Sequence, residues 1–370
     1  MVSIGVNMYT RVEKIVMWLS TFEFMNYKRA KFIVDNYDDL EDLFDNIADY
    51  KPELIQIFEI DEYEELVRGR NLYYIEDTIK NYDKLGIVVV TIKSDSYPEL
   101  LKEIDSSPIM LYCKGNIDLL KTDCLAVVGT RRATKYGKDN CNKFVKDIAS
   151  ENITIVSGLA EGIDTVAHKS TIEVGGKTIA VLGGGLLNIY PSSNVGLAKE
   201  ILDNDGLLIS EYKPNEPSMT YHFPIRNRII AGLSKATFVV EATEKSGSMH
   251  TKNYAIEYNR EVFALPGRVS DIYSVGCNKC IKNGQAQMVL SAGEIIEYYG
   301  KTATTNTKEV AVQLSYEEQI IYDNLVGHEK HFDELLKDTG METKNLQTML
   351  MRMVLKGVID KQPNNYYGVK

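Results

Sequence analysis

One apolar stretch opens with a histidine, an aromatic ring, two arginines and an asparagine: His222-Phe223-Pro224-Ile225-Arg226-Asn227-Arg228-Ile229-Ile230-Ala231-Gly232-Leu233-Ser234. Phe223 offers a face on which a base can stack, and Arg226, Asn227 and Arg228 offer donors for the adjoining phosphates. Single strands of nucleic acid are what such a surface suits. The bland alternative makes Arg226 and Arg228 salt-bridge partners that hold the fold, and at least one of them is expected to have that job.

Other loops carry related chemistry. Gly129-Thr130-Arg131-Arg132-Ala133-Thr134 follows an apolar run and precedes a helix, so free amides, a helix dipole and two forked guanidinium groups all favour phosphate; a tight turn with solvated arginines is the alternative. In Ser157-Gly158-Leu159-Ala160-Glu161-Gly162-Ile163-Asp164, Ser157 and Gly158 can give a hydroxyl and a close backbone approach to an anion. Asp164 and His168 are spaced i, i+4, which reads as a helix-stabilising pair before it reads as acid-base catalysis. Lys245-Ser246-Gly247-Ser248 opens another helix with small residues that expose their amides, a second anion nest.

Two features tempt a cofactor or metal reading. The glycines of Leu182-Gly183-Gly184-Gly185 are adjacent, not spaced G-x-G-x-x-G, which disfavours a nicotinamide or flavin; Tyr190-Pro191 is expected to fix the loop that follows. Cys277-Asn278-Lys279-Cys280 is a C-x-x-C with no second ligand pair at usable spacing, so neither structural zinc nor redox work is expected.

These loops must be positioned by a parallel sheet. Strands are predicted at Ile87–Ile92, Leu125–Gly129, Thr154–Ser157, Thr178–Leu182, Leu207–Ser210, Thr237–Glu241 and Val262–Leu265. Helices are predicted between them, at Tyr136–Ser150, Ile163–Val174, Val195–Leu202, Asn227–Leu233 and Gly247–Asn259. That alternation is the signature of an α/β core with helices on both faces, where ligands collect beyond the carboxyl ends of the strands. Amphipathic spacing such as Val12, Ile15, Val16 and Leu19 makes residues 1–80 a small helical domain, ahead of a core over 81–300. A polar linker is expected at 301–310, and over 311–370 three helices and a hairpin fit a winged helix.

Composition bounds the partners. The net charge of -10 opposes wrapping by a polyanion, but the acid is uneven: residues 1–80 hold 9 Lys plus Arg against 17 Asp plus Glu. No acidic residue occurs in 124–138, 217–240 or 245–256. Apolar runs fall far short of the ~18 residues that span a bilayer, no leader opens the chain, and five scattered cysteines read as free thiols, so a cytoplasmic protein with no membrane association is expected.

Taken in order, the segments resemble the DprA/Smf family of DNA-processing proteins. The resemblance rests on Val128-Gly129-Thr130-Arg131-Arg132, Ser157 to Asp164 with His168, Phe223 to Ser234, Val240-Glu241-Ala242, Ser246-Gly247-Ser248, Leu265-Pro266-Gly267 and Gly276-Cys277-Asn278. It implies an extended Rossmann-like core that binds single-stranded DNA, dimerises through that core and loads the RecA recombinase during natural transformation, without enzymatic turnover or cofactor. It also implies a sterile-alpha-motif-like N-terminal domain. Carried over by position, the DNA contacts are Gly129, Arg131, Arg132, Ser157, Gly158, Phe223, Arg226, Asn227, Arg228, Ser246, Gly247 and Ser248. The chain departs from the family's usual pattern at Cys280, and at His250 and Lys252, which stand where apolar and small residues are customary. The rival is a nucleotide N-glycoside hydrolase, whose Pro-Gly-Gly-x-Gly-Thr loop is replaced here by Thr243-Glu244-Lys245-Ser246-Gly247-Ser248.

Overall fold

A computed structural model describes residues 8–302 and 314–369. They fall into two compact units, Met1–Ala303 and Thr304–Lys370. The expected linker, residues 301–310, lies outside the described residues apart from Lys301 and Thr302.

The first unit begins with α1 (Arg11–Leu19), α2 (Tyr27–Asn36), α3 (Leu40–Asp45), α4 (Lys51–Leu54), α5 (Ile60–Arg68) and α6 (Leu72–Lys84). Thr10 starts α1 with a capping box shared with Glu13, which satisfies two amides the helix cannot bond internally. Trp18 closes this layer: its ring meets Phe22 and Phe44 edge-on, and its indole N–H donates to the Gly69 carbonyl at 2.8 Å.

A nine-stranded sheet follows, with the order β1-β2-β6-β5-β4-β3-β7-β8-β9. Its strands are β1 (Val88–Thr91), β2 (Met110–Gly115), β3 (Cys124–Val128), β4 (Thr154–Ser157), β5 (Thr178–Val181), β6 (Leu207–Ser210), β7 (Ala236–Val239), β8 (Glu261–Ala264) and β9 (Gln287–Met288). β6 through β9 run parallel, while β1 and β2 join antiparallel at one edge, a departure from a purely parallel sheet. Strand alternation buries both faces: Leu125 and Val127 of β3 enter one apolar cluster, and Ala126 and Val128 the other.

The interleaved helices are α7 (Glu99–Lys102), α8 (Lys135–Ser150), α9 (Ile163–Glu173), α10 (Val195–Asp203), α11 (His222–Leu233), α12 (Ser248–Glu257), α13 (Val275–Lys282) and α14 (Ala292–Tyr298). α11 starts at His222, five residues before the expected Asn227, because Pro224 fits a first helical turn, where its missing N–H costs nothing. From β3 the chain steps through β4 and β5 to β6, then returns to the other side of β3 with β7. That reversal opens a crevice between the loops after β3 and β7.

The second unit holds α15 (Tyr316–Leu325), β10 (Lys330–His331), α16 (Phe332–Thr339), α17 (Thr343–Leu355), β11 (Ile359–Lys361) and β12 (Tyr366–Val369). Its strands form an antiparallel sheet ordered β10-β12-β11, and Leu335, Leu346, Leu350 and Met353 lie in its core. No helix among the described residues is long and apolar enough to cross a membrane.

Candidate nucleic-acid interface

A cleft of about 580 Å³ occupies the crevice at the strand reversal. It gathers Gly129, Arg131 and Arg132 from the loop after β3, Phe223, Arg226 and Asn227 from α11, and Ser246, Gly247 and Ser248 from the loop after β7. Gly158 lines a small recess beside it, with Arg131, Tyr190, Phe223 and Arg226. Two of the anticipated residues are not brought there.

Arg228 is the first. It is buried on the other flank of α11, donates through both terminal nitrogens to Glu211 at 3.0 and 2.6 Å, and lies 4.6 Å from the centroid of Tyr27 in α2. The carboxylate and ring hold this guanidinium against the N-terminal helices, which fulfils the salt-bridge reading. Ser157 is the second: fully buried, it donates its hydroxyl to the Val127 carbonyl at 2.7 Å and so ties β4 to β3.

Arg226 forms the floor. It is buried, and its Nη1 donates to the carbonyls of Gly158, at 2.9 Å, and Val181. Glycine is required at 158, since a Cβ there would stand 2.7 Å from the guanidinium and 2.9 Å from Asp164. Burial pushes Arg226 down to about 10, with Asp164 pulling the other way, so the group stays cationic at neutral pH.

Asp164 accepts the Gly158 and Ala160 amides at 3.1 and 3.3 Å, and burial pushes its carboxyl up to about 6 although Arg226 and those amides favour the charged form. His168 does not complete an acid-base pair with it. Its Nδ1 lies 2.7 Å from Thr178 Oγ1, which donates to Ile155, so the proton sits on Nδ1; Nε2 is buried with no partner among the described residues. Burial, with Arg226 nearby, pushes this imidazole down to about 3, so it is neutral.

The helix termini around the cleft differ in what they leave free. At α8, Thr134 caps Gly137 and itself donates its amide and hydroxyl to the buried Glu241 at 2.9 and 2.5 Å. The anion site anticipated in this first turn is therefore filled by the chain's own carboxylate, leaving the side chains of Arg131 and Arg132 as its offering. At α12 no side chain caps the helix, and the Gly247 and Ser248 amides find no acceptor among the described residues. The Ser248 hydroxyl, in a residue only 7% exposed, also has no partner among the described residues. Orphan amides and a preorganised hydroxyl make this the anion seat of the cleft.

Between the seat and the recess lies a ring platform. Phe223 stands 5.4 Å from Tyr190, with the Arg131 guanidinium 5.5 Å from the Phe223 centroid. A Cβ at Gly183 would come within 2.7 Å of the Phe223 ring, so the glycine run gives this ring its clearance. Tyr190 is half exposed. Sequence reading assigned it only to the loop, and its adjacency to Pro191 gave no hint that the fold sets it beside Phe223. His250, on the exposed side of α12, also lines the cleft.

The C-x-x-C cysteines lie buried on α13. The Cys277 thiol donates to the Val239 carbonyl at 3.6 Å, and burial pushes it up to about 12 and raises Cys280 as well, the reverse of a reactive thiolate.

A family model described as DNA recombination-mediator protein A matches residues 88–300. The chain is 46% identical over 206 residues to the DNA processing protein DprA of Streptococcus pneumoniae, covering 56% of this chain and 72% of that protein. To the Smf protein of Escherichia coli it is 36% identical over 292 residues, covering 76% and 77%. The X-ray structure of the Streptococcus pneumoniae protein superposes with a TM-score of 0.67 at 34% identity, over 78% of this chain and 98% of that one. A structure of Helicobacter pylori DNA processing protein A, described for its single-stranded DNA binding mode, superposes with a TM-score of 0.52 at 30% identity, over 58% and 95%.

Proposed function

This chain belongs to the DNA recombination-mediator protein A family, the DprA/Smf proteins, and on that premise we propose that its cleft binds single-stranded DNA. The observation that carries the reading is the placing of the α12 seat, with its unpartnered Ser248 hydroxyl, in one cleft with Arg131, Arg132 and the Phe223 ring. A phosphate sits on the amides and hydroxyl, the arginines neutralise its neighbours, and unstacked bases lie on Phe223 and Tyr190. Gly129, Gly158, Arg226 and Asn227 shape and charge the floor. Arg228 and Ser157 serve the fold. The cleft turns nothing over: the carboxyl that faces it, Asp164, is already engaged by backbone amides.

The family reading extends to a cytoplasmic protein that hands its strand to the RecA recombinase during DNA uptake, and to a homodimer formed through the core. Exposed apolar residues support the second part: Val269 and Ile272 follow β8, Met288 belongs to β9 at the open edge of the sheet, and Leu290 follows it. We read the second unit as a winged helix.

The test is fluorescence anisotropy with single-stranded and duplex oligonucleotides across a salt series. Tighter binding of the single strand, with affinity falling by about 0.7 log units per log unit of salt for each phosphate held, is expected. Equal affinity for duplex, or no salt dependence, would count against it.

A further inference from the structure

Beyond the residues assigned to the cleft, its positive charge continues along the rim of the sheet. Lys135 and Lys138 stand exposed on the first turn of α8, directly after Arg131 and Arg132, and Arg268 stands exposed in the loop after β8. The two loops are tied together. The Tyr136 hydroxyl donates to the Pro266 carbonyl at 2.6 Å, and the Gly267 amide donates to Asn278 of α13 at 3.1 Å, so the loop that carries Arg268 is bonded to that first turn.

Among the described residues, none of Arg131, Arg132, Lys135, Lys138 and Arg268 is paired with a carboxylate. Elsewhere on the same unit, Lys146, Lys177, Lys235, Arg260 and Lys279 each have one within 3.0 Å. Carboxylates on the neighbouring loops and on α8 form no ion pair with the run. Glu241 is buried and taken up by Thr134, Asp271 accepts the Tyr273 amide, and the exposed Asp139 forms no ion pair with any of the five. Glu241 already takes the amide and hydroxyl of Thr134 at the α8 terminus, so what this rim adds beyond the helix start is side-chain charge. Like charges held side by side repel one another, and an external polyanion that spans them removes that cost.

We infer that a single strand bound in the cleft leaves it over Arg132, Lys135, Lys138 and Arg268, which form a phosphate track along the rim toward the β8 side of the sheet. The inference rests on the reading of the cleft as a single-strand site. Ammonium and guanidinium groups meet the backbone, not the bases, so the track adds affinity and salt dependence without sequence preference.

The experiment compares strands of about 5 nucleotides, which fill the cleft alone, with strands of about 15, which reach the track. The full chain is measured against the triple variant Lys135→Gln, Lys138→Gln, Arg268→Gln, with circular dichroism confirming that these exposed substitutions leave it folded. For the longer strand the variant should bind about tenfold more weakly at low salt, with the salt slope reduced by about two, while the shorter strand is unaffected. An unchanged affinity for the longer strand, or an equal loss at both lengths, would overturn the track while leaving the cleft standing. Failure of the unaltered protein to bind either strand would overturn the cleft reading itself, and the track with it.

Discussion

Arg226 and Arg228, two residues apart on α11, point to opposite flanks of that helix. Arg226 donates to the Gly158 and Val181 carbonyls beneath the cleft, while Arg228 is clamped between Glu211 and the ring of Tyr27. On a helix two residues span about 200°, so neighbours at this spacing cannot share a surface.

The two arginines therefore separate binding from stability. Arg228→Ala leaves the part-buried Glu211 without its partner and is expected to cost up to about 3 kcal/mol of stability, read as a lowered denaturation midpoint, with single-strand affinity of the folded fraction intact. Arg226→Ala should weaken single-strand binding more than tenfold, as the loss of a charged contact does. Equal loss of affinity in both variants would contradict this division.

Ser248→Ala isolates the anion seat. The hydroxyl has no partner among the described residues, so its removal should leave the melting temperature unchanged or slightly raised. Binding of single-stranded DNA should weaken about threefold to tenfold, as loss of one hydrogen bond of about 1 kcal/mol predicts. A variant that binds normally would place the phosphate elsewhere.

Much of this was legible in the sequence. The β-branched runs alternating with helices located the central strands, and the acid-free stretches marked the loops that meet at the crevice. Side-chain direction was not legible. Nothing in the spacing of Arg226 and Arg228 tells which flank faces Glu211, a residue on a separate loop. Likewise the α8 terminus looked like an open phosphate site because the carboxylate that fills it, Glu241, lies 107 positions from Thr134. Tyr190 was missed for the same reason, since its pairing with Phe223 exists only after folding. The antiparallel setting of β1 and β2 was not legible either, because the neighbour a strand pairs with is decided only on folding.

The ring platform gives a prediction of its own. Tyr190→Ala should cost about 1 to 3 kcal/mol of single-strand affinity, the usual worth of one base stacked on an aromatic ring, and to similar extents for strands of different sequence. Anisotropy with homopolymeric oligonucleotides measures this; a loss confined to one base type would mean that Tyr190 reads sequence and is not a simple platform.

Acid should act on the cleft through Asp164. Its carboxyl titrates near 6, so lowering the pH from 7 through 6 removes a negative charge beside Arg226, and single-strand affinity should rise. Asp164→Asn should abolish that component. If the pH profile of this variant matches that of the unaltered protein, Asp164 does not face the strand.

The same residue also has a calculable effect on stability. Its pKa is raised from 3.8 to about 6 on folding, so its contribution is full below about 4 and is lost as pH rises through 6. His168, lowered from 6.5 to about 3, contributes above 6.5 and loses that contribution as pH falls toward 3. Between about 4 and 6 the two slopes oppose each other. His168→Gln should expose the Asp164 slope, so that this variant loses stability as pH rises through that window by about 1.4 kcal/mol per unit, followed by urea denaturation. A flat profile in the variant would show that the buried carboxyl does not hold its proton in the folded state.

The most direct test of where the strand lies is photo-cross-linking of a halogenated-uracil oligonucleotide, followed by mass-spectrometric mapping of the attached residues. Cross-links are expected on Phe223 and Tyr190, and are lost when Ser248→Ala in the α12 seat is combined with Arg131→Ala in the loop after β3. Cross-links concentrated on α17 or the N-terminal helices, with Phe223 and Tyr190 unmodified, would contradict this placing of the strand.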